Sequence, residues 1–241
     1  MSLRRFVPLL LLVLGACAAG GDPGARRAAA ALHWTLETPE GRFLGSATGL
    51  GGSCLLTNQH VVAAAAGRPL VARQGGQAWT VAQARSAAGL DAALLVLPQG
   101  AMQAPGLRGA APMAGDVLAV AGAVAAVPLL DVGEALGPAQ SARYGRDLHA
   151  ARLRVAPGFS GGPVVDAQGR LVGIVMAAAA GSMADAQRLT VGPAGVPLQR
   201  RTALLLDARA ALAALGISAT RGCGAARQAG SAPRQMLSKP S

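Results

Sequence analysis

The stretch Ala156-Pro157-Gly158-Phe159-Ser160-Gly161-Gly162-Pro163 sets one serine among three glycines, with a proline on each side. Glycine adopts backbone angles closed to other residues and lets the main chain come close to a ligand. Backbone amides, including that of the serine, are then free to point at a developing negative charge. In acyl transfer such amides form an oxyanion hole, where each donor contributes about 3 kcal/mol. The stretch therefore predicts a nucleophile at Ser160, and a plain turn between two apolar strands is the alternative.

The same residues also satisfy G-x-S-x-G, the nucleophile elbow of α/β-hydrolases. That fold requires the chain order Ser, then Asp or Glu, then His. The three histidines, His33, His60 and His149, all precede Ser160, so the elbow is excluded. Two orders with an upstream histidine remain, His…Asp…Ser and Asp…His…Ser.

Two motifs upstream of Ser160 supply partners for it. In Leu55-Leu56-Thr57-Asn58-Gln59-His60-Val61-Val62, the histidine stands where a β run ends in a small-residue turn. In Gly89-Leu90-Asp91-Ala92-Ala93-Leu94, one acid heads an otherwise apolar strand. A buried carboxylate is costly unless a partner stabilises it, and an imidazole N–H is such a partner. The motifs predict a triad in which Asp91 orients His60 and His60 activates Ser160.

A second triad is possible from chain order alone. It would use His149, with Asp131 or Asp147 upstream. His149 stands on a polar strand edge only eleven residues before Ser160, which disfavours this arrangement.

The body of the chain alternates short β segments with clusters of Gly, Pro, Asn and Asp, which is typical of an all-β barrel or sandwich. The β segments of the first half are residues 33–38, 42–48, 53–57, 69–73, 78–84 and 92–97. Those of the second half are residues 117–121, an irregular stretch to 140, 148–155, 163–165, 171–177 and 188–191. Residues 98–115, rich in proline and glycine, separate the halves.

After the strands, residues 201–215 carry leucine and alanine at helical spacing, which predicts a C-terminal helix that Gly216 ends. Residues 218–241 have no apolar period and predict a disordered basic tail. One globular domain is therefore expected over residues 31–217, with its halves at 31–105 and 112–200.

The composition excludes some classes of function. The chain carries 22 basic against 11 acidic residues, a net charge of +11, but the basic residues are scattered. Without a dense basic run or interleaved aromatics, no nucleic-acid partner is expected. No paired cysteine spacing suggests zinc, and neither a metal nor an organic cofactor is expected.

The amino terminus has the features of an export signal. Two arginines precede a short apolar run, residues 7–14, that is too short to span a bilayer. Leu14-Gly15-Ala16-Cys17 resembles a bacterial lipobox, which implies a signal peptide over residues 1–16 and lipidation of Cys17. Ala18 after the cysteine leans toward the outer membrane if the cell is Gram-negative. An ordinary cleaved signal peptide is the alternative, and in both cases residues 17–30 are expected to form a flexible tether in the periplasm or cell envelope.

Three cysteines are too few for a disulfide framework. Cys54 and Cys223 are free to pair in an oxidising compartment once Cys17 carries lipid. For Cys54 the first expectation is nevertheless a small, buried, apolar residue.

Taken together, three sets of residues resemble trypsin-like serine proteases, and most of all the bacterial Deg/HtrA type. They are Thr57-Asn58-Gln59-His60-Val61-Val62, then Leu90-Asp91-Ala92-Ala93-Leu94, and then Pro157 to Pro163 followed by Asp166-Ala167-Gln168-Gly169-Arg170-Leu171-Val172-Gly173-Ile174. The resemblance covers about residues 35–215. It implies two orthogonal six-stranded β-barrels with the active site in the cleft between them.

Carried onto these positions, the resemblance implies that His60 is the general base, Asp91 its orienting acid and Ser160 the nucleophile. The oxyanion would be held by the amides of Gly158 and Ser160. Phe159 stands where the Deg/HtrA pattern commonly has a small polar residue, so it is expected at the substrate. No PDZ domain is expected after residue 200, so the regulation and cage assembly that PDZ domains support cannot be carried over.

In this family the segment after residue 171 lines the primary specificity pocket and pairs with the substrate backbone. Met176, Ala177 and Ala178 are therefore expected to contact substrate and to favour an aliphatic or small residue before the scissile bond. Substrate peptides would bind extended, by strand addition.

Two functions fit these features. One is a serine endopeptidase of the cell envelope, tethered through Cys17 and acting on a protein or peptide. The other is a protease-fold lipoprotein that binds peptides or envelope partners with little turnover, favoured by Phe159 and the high basicity.

Overall fold

The structure, a computed structural model, describes residues 23–98, 102–141, 144–178, 189–191 and 202–217. Within these ranges the chain forms two antiparallel sheets of seven strands each, the first ending at Val96 and the second beginning at Val117. The predicted all-β, trypsin-like fold is thereby confirmed. The nucleophile motif belongs to the second sheet and the His60 motif to the first, so the site depends on how the two sheets meet.

The first sheet has the strand order β5-β4-β1-β2-β3-β7-β6. Its strands are β1 His33–Glu37, β2 Phe43–Gly51, β3 Cys54–Thr57, β4 Val71–Gln74, β5 Gln77–Thr80, β6 Gln83–Ser86 and β7 Ala93–Val96. The helix α2, Gln59–Ala63, directly follows β3. Strand β3 pairs with β7 in the register Thr57 to Ala93, which brings the segments after β3 and before β7 to one end of the sheet.

The second sheet has the order β10-β14-β12-β11-β8-β9-β13, and β9 also pairs with β10. This extra pairing closes six of the strands into a barrel, whereas the first sheet curls without an equivalent closing pair among its described strands. The strands are β8 Val117–Val124, β9 Val127–Ser141, β10 Gly145–Arg152, β11 Pro163–Asp166, β12 Leu171–Ala178, β13 Leu189–Val191 and β14 Thr202–Asp207.

The largest buried cluster is shared by the two sheets. Leu56 and Leu94 of the first sheet pack there with Ile174, Met176 and Leu204 of the second. Each large apolar side chain removed from water contributes about 1.5–3 kcal/mol, so this shared core holds the two sheets in a defined relation. A site at the boundary between the sheets can therefore combine residues from both.

The predicted helix over residues 201–215 is wrong in its first half. Thr202–Asp207 forms β14, buried at every position between β12 and β10, and the helix α3 covers only Ala208–Ala214. A strand that is buried on both faces has a continuous run of apolar residues. Over so few residues, such a run cannot be distinguished from the apolar spacing of a helix. The Asp207 side chain caps α3 by accepting hydrogen bonds from the amides of Arg209 and Ala210.

The expected flexible tether is also wrong where the structure describes it. Residues Pro23–Leu32 form the helix α1, with Ala25 and Ala29 buried against Ala119, Ala121 and Val165. Proline suits the first turn of a helix, and small alanines allow close packing on the sheet. The signal peptide over residues 1–16, Cys17 and the basic tail over 218–241 lie outside the described residues.

Cys54 is buried, as expected, but it is not a free thiol, because it forms a disulfide bond. The partner lies outside the described residues. None of the described helices has the length and apolar character that crossing a bilayer requires.

Candidate active site

The side chain of Asp91 holds His60 at two points. Asp91 Oδ2 lies 2.6 Å from His60 Nδ1, and Asp91 Oδ1 accepts a 2.9 Å hydrogen bond from the His60 amide. The amide is available because His60 stands in the first turn of α2, where backbone N–H groups have no helical partner. With Nδ1 donating to the carboxylate, Nε2 is left as the basic nitrogen. The His60 side chain is 48% exposed, so the ring is within reach of a ligand from solvent.

Asp91 is kept ionised by the same contacts. Its partial burial raises the pKa of the carboxyl, but hydrogen bonds from the His60 ring and amide outweigh burial and set the pKa below its ordinary value. Asn58 also holds the main chain of Asp91, because its side-chain amide donates a hydrogen bond to the Asp91 carbonyl at 3.0 Å. A permanent negative charge therefore stands behind the imidazole.

Ser160 lies in a loop whose shape requires two glycines. Gly158 and Gly161 have φ values of 104° and 85°, which side chains rarely adopt. A Cβ at Gly158 would lie 2.4 Å from the Ala123 carbonyl oxygen, and one at Gly161 would lie 2.2 Å from that of Ser46. The loop is thus enclosed by both sheets, and a substitution at either glycine would displace it.

The amides of this loop divide into two pairs. Those of Phe159 and Gly161 donate to the carbonyls of Ala156 and Val175, at 3.0 and 2.9 Å. In the described part of the chain, the amides of Gly158 and Ser160 have no such acceptor. They are the two amides that the sequence predicts for an oxyanion hole, and they remain free to bind an anionic oxygen.

Contacts across the cleft bring the histidine and serine motifs to one place. The Ser46 amide donates to the Ser160 carbonyl at 2.9 Å. A Cβ built on Gly45 would lie 3.0 Å from Val61 Cγ1 and 3.3 Å from the Ser160 carbonyl oxygen, so the neighbour of His60 and Ser160 flank the same glycine. The Ser160 hydroxyl itself makes a long, 3.4 Å hydrogen bond to the Met176 carbonyl.

The second possible triad is excluded by geometry. His149 is buried, and its Nε2 lies 3.1 Å from Asp207 Oδ2, an acid that follows Ser160 in the chain. Asp131 is engaged by the amide and guanidinium of Arg154. His149 is therefore paired with an acid outside the predicted alternative triad, the same Asp207 that caps the helix α3.

Similarity to known proteins agrees with this geometry. The family model of the trypsin-like peptidase domain matches residues 41–174, which include His60, Asp91 and Ser160. This chain belongs to the trypsin-like peptidase family. The prediction of a trypsin-like serine protease is thus confirmed. No curated protein matches the peptidase by sequence.

Solved proteases share the fold of the peptidase at low identity. The active form of the Rv3671c protease from M. tuberculosis is 19% identical, with a TM-score of 0.61, over 90% of this chain and 96% of that one. Its inactive form gives 18% identity and a TM-score of 0.63, over 82% and 96% of the chains. The HtrA-type protease AlgW with a tripeptide is 23% identical, with a TM-score of 0.61, over 80% of this chain and 62% of that one.

The expected substrate contact by Phe159 is wrong. Its side chain is only 3% exposed and packs in the core of the second sheet, against the position where Gly122 leaves room for a ring. The positive φ of Gly158 turns the chain so that the Phe159 ring points into the core. The predicted nucleophile, Ser160, is therefore not obstructed by this ring.

Of the other expected substrate contacts, Met176 is also buried, and only its main chain adjoins Ser160. Ala177 is half-buried and Ala178 is exposed, so both remain positioned to line a substrate site. In the described residues no cluster of three or more metal-ligating side chains occurs.

Ser46, Thr48 and His33 support the site but carry no sequence signal. Thr48 donates to the Gly161 carbonyl at 2.8 Å, and Ser46 donates to the Gly158 carbonyl at 2.7 Å. The His33 Nε2 lies 3.0 Å from the Ser46 hydroxyl. Ser46 and Thr48 are 112 and 113 positions from their partners in the loop, and His33 reaches the loop through Ser46. Only the fold therefore reveals these connections.

His33 also makes stability depend on pH. Burial lowers the pKa of its imidazole to about 4, so the folded chain binds this proton less readily than the unfolded chain, whose pKa is about 6.5. The stability contributed by neutral His33 is present above pH 6.5 and is lost as pH falls toward 4. We expect a loss of about 3 kcal/mol in the free energy of unfolding over this window.

Denaturant unfolding of wild type and His33→Gln at pH 7 and at pH 4.5 measures this effect. The loss should be clearly smaller in the variant. An equal loss in both proteins would show that His33 is not its source. The comparison of wild type with His33→Gln leaves the charged residues near His33 unchanged. These are Glu37, Arg73 and Arg26, which line the cavity of about 570 Å³ beside it.

Proposed function

We propose that the protein is an active serine endopeptidase that cleaves peptide bonds through His60, Asp91 and Ser160. The observation that supports this most strongly is the double hydrogen bond from Asp91 to His60, beside a glycine-shaped loop with two free amides. A structural histidine would need no carboxylate on both its ring and its amide. A structural turn would need no unpaired amides next to its serine.

In the proposed reaction, His60 Nε2 takes the proton of the Ser160 hydroxyl while Oγ attacks the substrate carbonyl carbon. The carbonyl π bond breaks, and its electron pair becomes an oxyanion held by the amides of Gly158 and Ser160. Asp91 stabilises the resulting imidazolium. The oxyanion then collapses, the C–N bond breaks as His60 protonates the leaving amine, and the acyl-enzyme remains on Ser160 Oγ. A water molecule, deprotonated by His60, attacks the ester carbonyl, and the C–Oγ bond breaks as His60 returns the proton to Ser160.

The substrate is a protein or peptide bound in an extended conformation. Ala177 and Ala178 are the last two residues of β12, directly after the part of that strand that contacts Ser160. Their backbone is positioned to pair with an extended substrate. Their methyl groups favour a small or aliphatic residue before the scissile bond. The HtrA-type neighbour AlgW with a bound tripeptide is consistent with a peptide ligand on this fold.

We further propose that the protein acts outside the cytoplasm, attached to the envelope by lipid on Cys17. The disulfide at Cys54 supports an oxidising compartment, where such bonds persist. The lipobox-like sequence before Cys17 supports the anchor. Mass spectrometry of the mature amino terminus tests it, since a terminus without a diacylglycerol-modified Cys17 would contradict the proposal.

The proposed activity predicts covalent labelling by a fluorophosphonate probe. Wild-type protein should form a stoichiometric adduct that peptide mapping places on Ser160, because an activated serine attacks the phosphorus centre as it attacks a carbonyl. His60→Ala should lower the labelling rate by at least about 10²-fold, the usual effect of losing a general base.

The matched control is Ser86→Ala, which removes an exposed serine from β6. It should label at the wild-type rate. A folded wild-type protein that takes no label would contradict the endopeptidase proposal and favour the binding lipoprotein. The steric argument for that alternative is already removed, because Phe159 is buried in the core.

A further inference from the structure

Ser46 connects the first sheet to the nucleophile loop at two points. It is fully buried in β2, its amide donates to the Ser160 carbonyl at 2.9 Å, and its hydroxyl donates to the Gly158 carbonyl at 2.7 Å. The Ser46 carbonyl accepts a 2.7 Å hydrogen bond from the Thr57 hydroxyl. All polar groups of this residue are therefore used, and two of them hold the residues whose amides form the proposed oxyanion hole.

The direction of these hydrogen bonds follows from the groups involved. A carbonyl only accepts, so the single hydroxyl proton of Ser46 is directed at Gly158. The hydroxyl oxygen must then accept from His33 Nε2, which lies 3.0 Å away. His33 is consequently the tautomer with its proton on Nε2. Since burial lowers its pKa to about 4, it is neutral at pH 7.

The chain of donors ends on the peptide unit that lies between the two amides of the proposed oxyanion hole. The unit between Gly158 and Phe159 is fixed at both ends, by Ser46 at its carbonyl and by Ala156 at its amide. Rotating this unit would turn the Gly158 carbonyl toward the Ala156 carbonyl and shift the amides of Gly158 and Ser160 that flank it. That rotation would break the hydrogen bond to Ser46 and leave a buried hydroxyl without its acceptor, a cost of about 1–3 kcal/mol.

We propose that His33 and Ser46 form a relay that fixes the peptide unit between Gly158 and Phe159 and so keeps the amides of Gly158 and Ser160 directed at the substrate. This inference rests on the proposed function. His33 and Ser46 act through Gly158 and touch no reacting atom, so they are positioning residues. Their effect belongs to the transition state, in which the oxyanion exists, rather than to substrate binding.

Ser46→Ala tests the relay. We expect kcat for a peptide substrate to fall by about 10- to 100-fold, with KM changed by less than about twofold, because misplacement of oxyanion donors acts on the transition state. The affinity for a peptide boronic acid, whose oxygen occupies the oxyanion hole, should fall by the same factor as kcat/KM. Thr35→Val, which removes a neighbouring β1 hydroxyl, is the control and should match wild type.

Variants of His33 separate the hydrogen bond from packing. His33→Leu should reproduce the loss seen in Ser46→Ala. His33→Gln, which keeps a nitrogen donor near the Nε2 position, should recover most of the activity. The double variant with both Ser46→Ala and His33→Leu should be no worse than Ser46→Ala alone, because both remove one chain of hydrogen bonds.

The outcomes distinguish the relay from the proposed function. An inactive wild type contradicts the endopeptidase itself. An active wild type with a folded Ser46→Ala of unchanged kcat overturns the relay alone. If Ser46→Ala does not fold, His33→Leu decides, since wild-type kcat in that variant also overturns the relay. Nitrogen NMR of His33 at pH 7 should show the Nε2–H tautomer, and the Nδ1–H tautomer would contradict the donor direction.

Discussion

Ser160→Ala is expected to lower kcat for peptide hydrolysis by about 10⁶-fold, the usual effect of removing a catalytic serine. The substitution removes the only proposed atom that can form the acyl-enzyme, while the oxyanion amides and the substrate cleft are left in place. KM should therefore change little. Stability should also change little, because the lost hydroxyl makes only one long, 3.4 Å hydrogen bond to Met176.

Steady-state hydrolysis of a fluorogenic peptide library, with thermal unfolding of the same samples, measures both expectations. Ser86→Ala again serves as the matched control. A folded Ser160→Ala variant that keeps more than about 1% of wild-type kcat would show that hydrolysis uses another nucleophile. Library cleavage by wild type would also reveal whether a small or aliphatic residue is preferred before the scissile bond.

Asp91→Asn has the second-largest expected effect, a fall in kcat of about 10⁴-fold. The carboxylate now accepts from both the His60 amide and the ring Nδ1–H. An asparagine offers one acceptor oxygen and one NH₂ group. If its oxygen keeps the His60 amide, its NH₂ faces Nδ1, and the ring must carry its proton on Nε2. In that tautomer His60 cannot accept the proton of Ser160.

The measurement is kcat between pH 6 and pH 9 for wild type, Asp91→Asn and the control Asp116→Asn. Asp116 is also ion-paired, with Arg108, and makes no hydrogen bond to His60, Asp91 or Ser160 among the described residues. The control should keep wild-type kcat. A loss below tenfold in Asp91→Asn, with the fold intact, would show that Asp91 does not orient His60 during catalysis.

The sequence alone was sufficient to predict the proposed catalytic residues, because each of them lies in a recognisable short motif. Glycines around Ser160, a histidine after a β run and a lone acid at the head of an apolar strand are features of neighbouring residues. The structure brings His60 and Asp91 into contact and places Val61 and Ser160 around one glycine. The catalytic roles themselves remain predictions for the two variants above.

Where the sequence misled, the deciding contacts were distant in the chain. Thr202–Asp207 has helical spacing but becomes a strand, since β10 and β12 supply hydrogen-bond partners on both sides. Residues Pro23–Leu32 have the composition of a linker but form a helix, because the second sheet offers a surface for their alanines. Phe159 stands next to the nucleophile in the sequence, yet the backbone turn at Gly158 directs its ring into the core.

By itself the sequence determined the fold class, the family and the residues proposed for the chemistry, because short motifs and the β rhythm are local properties. Only the tertiary structure decided which histidine contacts Asp91, where Phe159 points, and how Ser46 and His33 hold the Gly158 carbonyl. The physical reason is that these relations are made by hydrogen bonds and packing between segments that meet only when the two sheets close on their shared core.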